Sequence, residues 1–152
     1  MKNRHIFLGL GFLLGCIIIG NSVAQANSYV LGIKITTAFY TDLDNDGFED
    51  DVYTEAYLAF DDVVKARILL IYTLTLPSGY TYRDYYYHKI TSEFITYEFR
   101  IYNGAFESGD YIFDLVCIVH SNGEFQIYQD TLVFDPPGGA DDEPPHSTVT
   151  IG

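Results

Sequence analysis

Between residues 29 and 134 the chain alternates apolar and polar side chains with a period of two, in one short run after another, and that rhythm belongs to β-strands. In the first run Leu31, Ile33, Ile35, Thr37 and Phe39 point one way, and Lys34, Thr36 and Tyr40 the other. The second sets Val52, Thr54, Ala56, Leu58 and Phe60 against Tyr53, Glu55 and Tyr57. From residue 63 to 76 an apolar face from Val64 to Leu76 is backed by Lys65, Arg67, Thr73 and Thr75, so only one side is fully dry. Residues 80–90 read as an edge strand or a long connection. Residues 91–102 alternate again, with Ile95, Tyr97, Phe99 and Ile101 inward. Residues 111–120 are apolar on both faces, as a central strand requires, and residues 124–134 supply its partner.

Turn chemistry separates these runs. Pro77-Ser78-Gly79 reverses the chain, and Asn122-Gly123 is a two-residue hairpin signal, since a primed turn needs positive φ at both positions. No helical period follows residue 26. The chain is therefore expected to be all-β, a single antiparallel sandwich of about seven strands over residues 27–135. Residues 136–152 form an acidic Pro/Gly-rich tail, extended through Pro136-Pro137-Gly138-Gly139 and Asp141-Asp142-Glu143, whose last residues can add one more strand, on this or another molecule.

Residues 1–26 stand apart. Lys2, Arg4 and His5 precede an apolar run over residues 6–19, and Ala24-Gln25-Ala26 has the small residues of a cleavage site, so a signal-peptide helix is expected. The run is shorter than the roughly 20 residues of a membrane-spanning helix. Leu13-Leu14-Gly15-Cys16 resembles a lipoprotein box, in which Leu14 and the following Ile17-Ile18-Ile19 are out of place. The expected location is extracellular or at the cell surface, with no membrane span after cleavage. Formal net charge is −13, and removal of the leader leaves six basic against 21 acidic residues, or −15. Such a surface repels nucleic acid and anionic lipid. Cys117 would then be the one remaining cysteine, which excludes an intrachain disulfide.

Chemistry concentrates in Asp42-Leu43-Asp44-Asn45-Asp46-Gly47-Phe48-Glu49-Asp50-Asp51, between the first two strands. Alternate carboxylates at Asp42, Asp44 and Asp46 can converge on one hard cation while Gly47 permits a sharp turn. Phe48 would add its main-chain carbonyl, Asp50 would bind directly or through water, and Asp50, Asp51 or a residue from another loop would supply the bidentate ligand. The EF-hand glutamate at the twelfth loop position is replaced by Tyr53. The expected ligand is calcium, since magnesium demands tighter octahedral geometry. This pattern resembles the Asp-x-Asp-x-Asp-Gly-x-x-Asp loops of thrombospondin type 3 repeats and dockerins, a likeness confined to residues 42–51. A second resemblance, to Ig-like and fibronectin-like sandwiches, rests on Glu107-Ser108-Gly109-Asp110-Tyr111-Ile112-Phe113-Asp114-Leu115. It implies an Ig-like topology with Tyr111 as a tyrosine corner.

Tyr80, Tyr82, Tyr85, Tyr86 and Tyr87 form a candidate binding cluster for a protein or glycan partner, against the plainer reading of rings that cover a sandwich face. No His or Cys spacing points to zinc, and no catalytic residues are expected. The leading expectation is a non-enzymatic calcium-binding adhesion module. Two alternatives remain open: a subunit of an extracellular filament or layer assembled by strand addition through the tail, and a carbohydrate-binding module using the tyrosines. A hydrolase built on Glu93, Glu98 or Glu107 ranks below these, because alternation gives no reason to bring two carboxylates together.

Overall fold

In a computed structural model, residues 30–60, 65–121, 123–134 and 145–152 are described. The expected signal peptide and most of the Pro/Gly-rich linker lie outside them. The alternating runs become strands β1 (Val30–Thr41), β2 (Asp51–Phe60), β3 (Ala66–Thr75), β4 (Thr81–Ile90), β5 (Phe94–Tyr102), β6 (Tyr111–Ser121), β7 (Glu124–Phe134) and β8 (His146–Ile151). They form two antiparallel four-stranded sheets, ordered β1-β2-β5-β8 and β4-β3-β6-β7. Setting β1-β2-β5 against β3-β6-β7 reproduces the order A-B-E against C-F-G of an Ig-type sandwich. β4 is added beside β3, and β8 takes the edge beside β5.

Inward side chains of both sheets make one core, with Leu58, Ile68, Leu70, Phe99, Phe113 and Leu115 fully buried. Each such side chain contributes roughly 1.5–3 kcal/mol of transfer free energy. Tyr72, Phe99 and Phe113 meet at its centre, Tyr72 and Phe99 with ring centroids 4.9 Å apart. Cys117 is buried among these residues, and burial pushes its thiol up to about 12, which leaves it protonated and inert.

The turns follow their residues. Gly79 donates to the Leu76 carbonyl and Leu76 to the Tyr80 carbonyl, closing the β3–β4 hairpin with Gly79 at φ 86°. β6 and β7 pair from Ser121 and Glu124, across a connection in which Gly123 has φ 83°. Tyr111, at the start of β6, buries its ring; its hydroxyl accepts from the Glu107 amide at 2.7 Å and donates to the Glu107 carbonyl at 2.9 Å. This is the corner expected from the sequence.

Two features depart from the simple rhythm. The ladder of β1 and β2 slips between Ile35 and Thr37, a bulge that inserts one residue and reverses the phase of everything after it. Phe39 therefore faces outward and meets Tyr53 with ring centroids 5.0 Å apart and planes tilted by 31°, and Tyr40 turns toward the core, the opposite of the expected assignment. Ile35 offers its amide to Asp130 on β7 at 2.8 Å, joining edge strands of the two sheets.

The second departure is β8. His146–Ile151 pairs with β5 of the same chain, raising the strand count from about seven to eight and placing the end of the tail inside the sheet. Beyond that ladder, one hydroxyl ties it to the facing sheet. Ser147 Oγ donates to Asp84 at 2.7 Å and accepts from Tyr82 at 3.0 Å and from Tyr72 at 2.7 Å. One proton and two lone pairs are all used. Burial, offset in part by the Ser147 bond, pushes the Tyr72 hydroxyl up to about 12, so it remains a donor at all physiological pH. Ser147→Ala is expected to cost about 1–3 kcal/mol, the penalty for leaving buried partners unmatched. Urea unfolding should show the shift at unchanged m-value.

Candidate metal centre

The acidic loop leaves β1 at Thr41 and enters β2 at Asp51. Its backbone is folded by its own carboxylates. Asp42 accepts from the amides of Asp46 and Gly47, Asp44 from Asp46, and Asp46 from Phe48, all within 3.2 Å. Asn45 at φ 65° and Gly47 at φ 99° take the left-handed conformations that curl the chain; Asn tolerates this region and Gly enters it freely.

Asp51 closes the loop. Fully buried, its Oδ2 accepts from Leu43 at 2.6 Å and Asp44 at 3.2 Å, and its Oδ1 from the Asn103 amide at 2.9 Å. A carboxylate can be buried here because three N–H donors replace its water. The result brings one carboxylate oxygen from each of Asp42, Asp44 and Asp51 within 4.8 Å of one another. Asp46 does not join that group and spends a carboxylate oxygen on Phe48. Asp50 is buried beside Asp51, and its carbonyl accepts from Ala105 at 2.7 Å. Phe48 keeps its ring exposed.

Electrostatics follow from this convergence. The Asp44 carboxyl is pushed above its ordinary value, first by lost hydration and then by the negative charges of Asp51, Asp46 and Asp42, against a lowering bond from the Asp46 amide. An added cation would reverse the sign of those charge effects.

The loop is coupled to its neighbours. Asn103, at φ 54°, begins the β5–β6 connection, and its buried side chain has no hydrogen-bond partner at Oδ1 or Nδ2 among the described residues. Farther along that connection Glu107 grips the β3–β4 turn, accepting from the Ser78 amide at 2.8 Å and the Ser78 hydroxyl at 2.7 Å. Three loops at one end of the sandwich are thus joined in series. Sequence reading missed Asn103, whose only mark was an Asn-Gly pair at a strand end.

The tyrosine cluster is divided by the pleat of β4. Tyr85 and Tyr87 point outward, 71% and 53% exposed, and Tyr80 is exposed in the preceding turn. Tyr82 and Tyr86 point inward; Tyr82 reaches Ser147 and Tyr86 meets Tyr97 edge-on at 6.4 Å. The outward rings lie in cross-strand rows with aliphatic residues, Tyr87 with Leu69, Ile118 and Ile127, and Tyr85 with Ile71 and Val116. The carboxylates of a possible hydrolase are dispersed: Glu98 pairs with Arg100, and Glu107 is held at Ser78.

Asp51→Asn presents a carbonyl to only one side and an amide to the other, and should lose about 2–3 kcal/mol in denaturant unfolding. With chelator present, folded Asp44 takes up a proton before the unfolded chain does. Its charge penalty is therefore full at neutral pH and is relieved as pH falls through the folded pKa toward the ordinary value. Asp44→Asn should be the more stable protein at pH 7 without cations, and the gap should close on acidification in urea titrations. No protein-family model, no curated protein and no solved structure matches the chain, so the reading of this centre rests on its geometry.

Proposed function

We propose that this chain is a calcium-binding module of the extracellular space or cell surface, acting by binding and adhesion rather than by catalysis. The observation that carries the reading is the convergence of Asp42, Asp44 and Asp51 within 4.8 Å on a loop that their own carboxylates hold in shape. Like charges this close repel unless a cation lies between them. Hard oxygen donors in a flexible loop suit calcium, which takes six to eight ligands at about 2.3–2.6 Å. Asp46, the Phe48 carbonyl, Asp50 and water are the proposed sources of the remaining ligands.

In this reading the ion is a clamp. It cancels the repulsion that adds to lost hydration in raising Asp44 and fixes the β1–β2 loop against Asn103, and through Glu107 it steadies the β3–β4 turn. That set of loops would be a firm surface for a partner. The dispersed carboxylates and the buried, protonated Cys117 support a binding rather than a catalytic role. Strand addition through the tail has less support, because β8 fills the edge of β5 within its own chain. A glycan site has less support as well, since the cross-strand neighbours of Tyr85 and Tyr87 are the aliphatic Ile71 and Leu69, and the hydrogen-bonding Arg83 and Lys89 flank them only along β4.

Calorimetric titration of the chelator-treated protein with calcium should show one site per chain. At free calcium about a hundredfold above the dissociation constant, stability should rise by about 2.7 kcal/mol. Asp44→Asn should weaken binding without unfolding the protein. No heat, and an unchanged melting temperature between calcium and chelator, would sink the proposal.

A further inference from the structure

The outer face of the β4-β3-β6-β7 sheet is apolar where most outer faces are polar. Its two central rows run from Tyr87 through Leu69 and Ile118 to Ile127, and from Tyr85 through Ile71 to Val116. Ile127 is 68% exposed, and Phe125, one row further, 71%. Among the described residues nothing covers this face. At about 4.8 Å between strands and about 3.4 Å per residue, a face four strands wide and nine residues long measures roughly 600 Å². About half of its outward positions are apolar, gathered in the rows of Tyr87 and Tyr85, and a patch of that kind is often an interaction surface.

The charges on the face are unlike those of the rest of the molecule. Of the six basic residues beyond the leader, Arg67, Arg83 and Lys89 lie here, and Asp114 is the one acid on the outward positions of these strands. Without its leader the chain carries −15 in all although this face contributes +2, so a second copy can approach closely only where acids are few. This is such a place.

We propose that this face is a homodimer interface, in which a second copy packs sheet to sheet about a two-fold axis running along the strands between β3 and β6. That operation exchanges β3 with β6 and β4 with β7 across the interface. Leu69 and Ile71 of one copy meet Ile118 and Val116 of the other. Lys89 comes over the exposed Phe125 ring, a cation–π arrangement. Arg83 leans toward β3, its Nε donating to Thr73 Oγ1 at 3.0 Å, and Thr73 lies opposite Asp114 of the second copy. The two-fold makes that ion pair twice. Flat apolar sheets pack face to face about 10 Å apart, as the sheets of a sandwich core do. Two faces of this size bury roughly 1,200 Å², at the lower bound for a specific interface, which suits a reversible dimer. The aliphatic floor argues for a protein surface over a sugar, and the self-complementary charges argue for this one.

Sedimentation equilibrium of the purified protein tests the proposal, with circular dichroism and melting temperature to confirm that each variant is folded. The wild type should dimerise. R83D and D114R should each weaken the dimer by about tenfold or more, and R83D/D114R together should restore it to within about threefold of wild type. I118E should give a folded monomer. A wild type that stays monomeric at about 100 μM, as expected if a different protein or a glycan covers the face, overturns the proposal. So does a double variant that dimerises no better than its singles.

Discussion

A buried carboxylate with three amide donors is the constraint on which the upper end of this sandwich depends. Asp51 is the first residue of β2, and its two oxygens hold the loop that precedes it and the connection that follows β5. Neither segment has a ladder of its own. In a low-dielectric setting each of those bonds is stronger than its counterpart in water, and the charge would be intolerable without them. Convergence of Asp42 and Asp44 on Asp51 follows from that arrangement, so the geometry suited to a cation and the geometry that completes the fold are the same.

At a second point, too, a polar group does structural work inside an apolar frame. Ser147 saturates its hydroxyl with Asp84, Tyr82 and Tyr72 and thereby ties the edge strand of one sheet to the edge and centre of the other. Asp130 does the same at the opposite edge by receiving the Ile35 amide. Apolar burial is non-directional and would tolerate sliding of one sheet over the other. The directional bonds at the two edges hold their alignment, a task often met by disulfides in small extracellular domains.

The strands were legible because alternation is a direct imprint of a half-buried sheet, and β2, β6 and β7 lie within a residue of where the pattern places them. Phe39 and Tyr40 were misassigned because a bulge inserts one residue without a characteristic residue type. A strand among the last residues was legible from the β-type Val149 and Ile151, but the prolines and acids ahead of it left open whether it would pair with this molecule or another. The spacing of Asp42 and Asp44 signalled convergence. Asp51 stood only as one option, because its donor Asn103 is 52 positions away and local spacing carries no trace of it. Alternation alone could have separated Tyr82 and Tyr86 from Tyr85 and Tyr87. Their aliphatic neighbours come from three other strands and needed the sheet order.

The placing of β8 also decides how the domain would bear load. β1 and β8 are the two edge strands of one sheet; β1 runs toward the acidic loop and β8 away from it, so Val30 and Ile151 lie on opposite edges at the ends of their strands away from the loop, Ile151 level with Tyr97. Tension applied between those two points would run across the hydrogen-bonded ladders rather than along them, opening bonds one at a time from the end in the manner of a zipper. The acidic loop lies at the opposite pole of the sheet from Val30. Held by one end on a surface, it would carry that pole outward.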